Sequence, residues 1–146
     1  MKQGSTKRQR AVSLSERAGV RGPVPSYAKR QIRLGEIAYA RSGDKGSSAN
    51  VGVIARTPQG FAVLRSYLSA APVEKFIKPL RVRKVLRYEL PNLGALNFLL
   101  PGVLAGGASR SLRTDAQGKT LGQAILEMKL TISKRDLALC KSGRTD

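Results

Sequence analysis

Seven consecutive positions, Arg41, Ser42, Gly43, Asp44, Lys45, Gly46 and Ser47, gather most of the chemistry a short polar segment can offer, inside the stretch YARSGDKGSSANVGVIAR. Arg41 and Lys45 bring positive charge, and Ser47 a hydroxyl donor. Gly43 and Gly46 permit a left-handed backbone, so that successive N–H groups can converge on an anion. Asp44 can orient the neighbouring lysine or exchange a proton with a ligand. Asn50 closes the segment with an amide. The spacing matches neither a Walker A loop nor a G-x-G-x-x-G fingerprint. A plain alternative is a polar connection between strands, in which Asp44 caps the turn. On spacing alone both stay open.

Two further polar clusters interrupt apolar surroundings. In ELPNLGALNF, Asn92 and Asn97 are either hydrogen-bonded anchors or groups facing a pocket. In GGASRSLRTDAQGK, Gly106 and Gly107 allow close backbone approach, while Ser109, Arg110, Arg113 and Asp115 add donors and one carboxylate. An Arg113–Asp115 pair that only stabilises a turn is the structural alternative there.

Other chemistries are excluded by what the chain lacks. Its 146 residues contain no histidine, which removes Ser-His-Asp and Cys-His triads and any imidazole-bound zinc. No metal and no cofactor are expected. The lone Cys140 cannot form a disulfide within the chain and fits a reducing compartment.

Net charge is +18, from 27 basic and 9 acidic residues. Residues 1–33 alone hold nine Lys and Arg against Glu16. Such a chain attracts nucleic acid, acidic lipid or a coenzyme phosphate. Lys75, Lys78, Arg81, Arg83, Lys84 and Arg87 add a basic band, so a basic RNA or ribonucleoprotein binder is the alternative reading. Against it stands the absence of interleaved aromatics, since VRKVLRYEL supplies only Tyr88 and there is no Trp.

The apolar run over residues 93–105 is too short for a bilayer span and contains Asn97 and Pro101. The N-terminal residues contain no continuous apolar h-region, so no signal peptide is expected. The expected location is cytoplasmic, with organelle targeting by residues 1–33 as the alternative.

The elements that must position these groups follow from periodicity. RLGEIAYAR is expected as a strand with Ile37 and Tyr39 on one face, and NVGVIAR as a buried strand. Thr57-Pro58 marks a helix start, and Val73, Phe76, Ile77 and Leu80 recur at helical spacing in a second piece. VRKVLRYEL alternates as a half-buried strand with Val82, Leu86, Tyr88 and Leu90 on one side. Residues 93–100 follow as an apolar helix or buried loop, SRSLRTD as a short strand, and residues near Leu121 as a short helix. Leu126, Met128, Leu130 and Ile132 alternate as a final strand.

This order predicts an α+β sandwich of the ferredoxin-like kind, a mixed or antiparallel sheet with helices packed on one face. The expected division is a basic, disordered extension over residues 1–33, a domain over 34–132 and a tail over 133–146.

The blocks ARSGDKG, YELPNLGALNF and GGASRSLRTDAQGK, in this order, resemble the C-terminal ferredoxin-fold domain of the acyclic terpene utilisation (AtuA) family. The resemblance covers residues 34–132. It implies an accessory domain or small subunit that works with a large AtuA-type domain, supplied here by a separate chain. It also implies a link to the catabolism of acyclic terpenes, whose acids are handled as coenzyme A thioesters. An acyl-CoA or other anionic ligand is then the expected small molecule, and a free-standing enzyme acting on terpenoid acyl-CoA, with Asp44 and Lys45 as its candidate catalytic residues, is the weaker alternative. Homo-oligomerisation stays open.

Overall fold

The computed structural model describes residues 28–107 and 109–142. Most of the expected basic extension, residues 1–27, lies outside the described residues.

The chain runs β1 (Lys29–Arg33), β2 (Ala38–Lys45), β3 (Ser48–Ala55), α1 (Pro58–Tyr67), α2 (Ala70–Ile77), β4 (Leu86–Leu90), β5 (Ala95–Leu100), α3 (Leu121–Leu126), β6 (Lys129–Ser133) and α4 (Lys134–Lys141). Four strands form one antiparallel sheet in the order β2-β3-β5-β4, and β1 pairs antiparallel with β6 in a second. The class is α+β, as the interleaved periodicities predict.

Alternation decides which side of the larger sheet is covered. Ala49, Val51 and Val53 of β3 and Leu96, Phe98 and Leu100 of β5 all point inward and are buried. Against them lie Val63 and Leu64 of α1, Val73 and Ile77 of α2, and Leu121 and Ile125 of α3. Ile32, Leu130 and Ile132 of the small sheet complete the same core.

Helix α1 starts where Thr57-Pro58 predicts, because the Thr57 hydroxyl accepts from the Gly60 N–H at 3.0 Å. The same hydroxyl lies 3.4 Å from the Leu139 carbonyl near the end of α4. Residues 134–141, expected as part of a tail, are therefore an ordered helix packed on α1 through Leu137 and Cys140. Tyr67 clamps that packing by donating to Asp136 at 2.6 Å, and Ser133 donates to the same carboxylate at 2.7 Å. These two hydrogen bonds hold the Asp136 carboxyl below its ordinary value. Burial pushes the Cys140 thiol up, with the Asp136 charge adding to it, so the group stays a protonated packing residue.

Four further expectations are corrected. The first strand does not begin at Arg33. Leu34–Glu36 form a 3₁₀ turn, Ile37 lies in that turn and is buried, and Tyr39 is exposed on the strand that follows. Residues 29–33, assigned to the extension, form β1 and pair with β6. Residues 95–100 form not a helix but the strand β5, paired on both sides, whose Asn97 and Leu99 face away from the core. SRSLRTD is a run of turns, ordered by Arg113 and Asp115 and not by a ladder.

Candidate functional site

The segment that opens the sequence reading is nearly all strand. Arg41, Ser42, Gly43, Asp44 and Lys45 pair with Gly52, Val51, Asn50, Ala49 and Ser48, which leaves Gly46 and Ser47 as a two-residue hairpin turn. Gly46 takes φ +65°, as such a turn requires of its first residue. Gly43 has no left-handed backbone, so no nest of converging N–H groups forms at positions 41–45; those groups belong to an extended strand.

Alternation then sorts the side chains onto two faces. Ser42 turns inward, donating to the Gly118 carbonyl at 2.6 Å and accepting from the Gly122 N–H at 3.0 Å. It is a buried rivet between β2 and α3. Gly122 is small for a matching reason, because a Cβ there would sit 3.2 Å from the Ser42 nitrogen.

Arg41 and Gly43 lie on the outer face. Asn50 and Asn97 share it, and the Asn50 amide donates to the Asn97 side-chain carbonyl at 3.3 Å. Together with Asp44 and Lys45, these four residues line one open cleft of about 630 Å³. Ser42, Gly52, Ile54, Leu90, Leu93, Ala95 and Lys119 complete its lining. Cations gather towards one end and aliphatic side chains towards the other. Among the described residues Arg41, Lys45 and Lys119 have no ion-pair partner.

The remaining candidates lie elsewhere. Asn92 is exposed on the 3₁₀ turn Pro91–Leu93 and lines a neighbouring depression with Arg56 and Phe61. Arg113 and Asp115 line a third depression beside Leu104 and Leu121. They form no pair: Arg113 donates to the Val103 carbonyl at 2.8 Å, and Asp115 accepts from the N–H groups of Lys119 and Thr120. Burial alone would raise the Asp115 carboxyl, but the hydrogen bonds from Thr120 and Lys119 and the Lys119 charge win, and it titrates below its ordinary value. Ser109 and Arg110 are exposed on a turn in which the Arg110 N–H bonds the Gly107 carbonyl.

That loop nonetheless meets the hairpin. Leu104 N–H donates to the Ser47 carbonyl at 2.9 Å, and Gly107, at φ +82°, packs so close that a Cβ would stand 2.5 Å from the Gly46 oxygen. Gly46 and Gly107 thus serve backbone contact between two loops. Lys119, Gly52 and the aliphatic end of the cleft went unnoticed in the sequence. Lys119 stands last in GGASRSLRTDAQGK with nothing local to single it out, and only register reveals that Gly52 and Ile54 share a face with Arg41.

The basic band is divided by the fold. Arg81, Arg83 and Lys84 are exposed, whereas Arg87 turns inward to donate to the Leu68 and Arg65 carbonyls at the end of α1 and pairs with Glu89 at 2.9 Å. Among the described residues no helix is long and apolar enough to cross a membrane, and no group of three His, Cys, Asp or Glu could hold a metal ion.

A family model described as the AtuA ferredoxin-like domain matches residues 32–131, from β1 into β6. Neither the curated proteins nor the solved structures provide a match.

Proposed function

The chain belongs to the AtuA ferredoxin-like domain family, and from that premise we propose that it is an accessory domain or small subunit of an AtuA-type system, acting beside a larger AtuA-type chain. Its setting is the breakdown of acyclic terpenes, whose acids are carried as coenzyme A thioesters. The outer cleft is the ligand site.

One observation carries this reading: the cleft joins Arg41, Lys45 and Lys119 to Ile54, Leu90 and Leu93 within a single concavity of about 630 Å³. An anionic group with an aliphatic chain matches both ends, and the volume falls in the range of small-molecule sites. Arg41 and Lys45 hold the acidic end of the acyl-CoA. Asn50 and Asn97, joined to each other, present amides from the floor. Asp44, which lines the same cleft, exchanges a proton with the ligand.

The test has two parts. Affinity purification of the tagged protein from its native host recovers the large AtuA-type chain, and failure to recover it overturns the subunit assignment. Calorimetric titration with a terpenoid acyl-CoA shows binding that Arg41→Ala and Lys45→Ala each weaken by about tenfold, the effect of one lost charge-assisted contact. Unchanged affinity in both variants overturns the ligand site.

A further inference from the structure

An antiparallel sheet with one covered face ordinarily turns polar residues to the other. The outer face here does so only in part. Its register sets Tyr39, Ile54, Ala95 and Leu90 in one row across all four strands. The next row holds Arg41, Gly52, Asn97 and Tyr88. Tyr39, Tyr88 and the adjoining Leu93 are 53%, 50% and 68% exposed, so a broad apolar patch faces outward.

Strand β4 makes the point most sharply. Its apolar residues Leu86, Tyr88 and Leu90 face out while Arg87 and Glu89 face in, the reverse of what a solvated edge strand needs.

Two strand glycines on the same face add an independent observation. Gly43 and Gly52 have no left-handed backbone, and a Cβ at either meets nothing nearer than 3.7 Å and 3.8 Å. Nothing in the described fold asks for glycine there, and glycine inside a strand weakens it. Bare backbone at these positions lets another surface approach closely.

We propose that the outer face of the β2-β3-β5-β4 sheet is a docking surface for a different protein that closes over the ligand cleft, one whose facing surface is apolar at its centre and acidic at its rim. Arg41, Lys45 and Lys119 against the single Asp44 set the sign of that rim. A second copy of this chain does not fit. Each carries +18, and a face-to-face copy brings three cations against three with only one Asp44 on each side to offset them. That the occupant is the large AtuA-type chain rests on the function proposed above.

The test titrates the full-length protein with the large AtuA-type chain of the same organism, purified and identified, by calorimetry at low and high salt. Ile54→Asp and Leu90→Asp are made on exposed side chains, Lys45→Glu on the rim, and Lys141→Ala on α4 as the distant control. Melting temperature is the check on folding. Each face variant weakens the complex by about tenfold or more, as loss of an interface anchor does, Lys141→Ala leaves it unchanged, and added salt weakens it. A complex that forms equally well with both aspartate variants overturns the docking face while the subunit assignment stands. Wild type that does not bind overturns both. Wild type that sediments as a dimer and becomes monomeric on Ile54→Asp overturns the choice of occupant.

Discussion

The two faces of the four-stranded sheet are built from the same strands yet obey different constraints. On the inner face every residue of β3 and β5 is aliphatic or Phe98, all but Ala55 fully buried, and matched to helices α1 to α3. On the outer face the same strands alternate Asn50, Gly52 and Ile54 with Asn97 and Leu99, a mixture that no packing within the described chain accounts for. Stability is concentrated on one face, and on the other lies the cleft, whose cations have no ion-pair partner among the described residues.

Substitutions on the two faces should therefore differ in kind, and the widest separation is expected at the centre of β5. Phe98→Ala removes a buried ring and should cost about 3–5 kcal/mol in urea unfolding, whereas Ile54→Ala, across the sheet, should cost roughly 0.5–1 kcal/mol. Equal losses would erase the distinction. Glycines give the next contrast. Gly107→Ala forces a Cβ into the Gly46 carbonyl at a left-handed backbone and should cost about 2–3 kcal/mol. Gly52→Ala should be neutral or stabilise by about 0.4–1 kcal/mol, measured by the same unfolding midpoints.

Within β2, Ser42→Ala leaves the Gly122 N–H without its acceptor and should cost about 1–3 kcal/mol, while its outward neighbour Arg41→Ala should leave the melting temperature nearly unchanged and alter ligand binding instead. The smallest effect concerns pH. The Asp136 carboxyl titrates below its ordinary value in the folded protein. Its contribution is complete above the unfolded carboxylate value near pH 4 and is lost as pH falls through the depressed folded one. Tyr67→Phe removes the larger of its two hydrogen bonds, should cost about 1 kcal/mol, and should flatten the acid limb of a stability–pH profile.

The sequence exposes the inner face better than the outer one. Val51 and Val53 read correctly as a buried strand, and Thr57-Pro58 as a helix start, because burial and capping are local signals. Residues 95–100 misled as a helix because LNFLL contains almost no polar contrast, and only pairing with β3 and β4 separates its two sides. The alternation of VRKVLRYEL is visible in the sequence, but its orientation is not: the carbonyls of Arg65 and Leu68 that draw Arg87 inward come from another element. The polar cluster at positions 41–50 is legible as a candidate site. That Ser42 belongs to the packing, that Lys119 joins the cleft and that Arg113 and Asp115 serve another depression depend on contacts across some eighty residues or within a loop no period describes.

Gly52 has a consequence for how this protein can change over generations. If Gly52→Ala folds as expected, a side chain there narrows the cleft at little cost to the fold, and selection for stability alone would not keep the glycine. A lineage that no longer needs the cleft can lose it through one base change, with a product that still accumulates in the cell. If the cleft is the ligand site, sequences sharing this fold but carrying a larger residue at that position would be the ones expected to have lost the ligand.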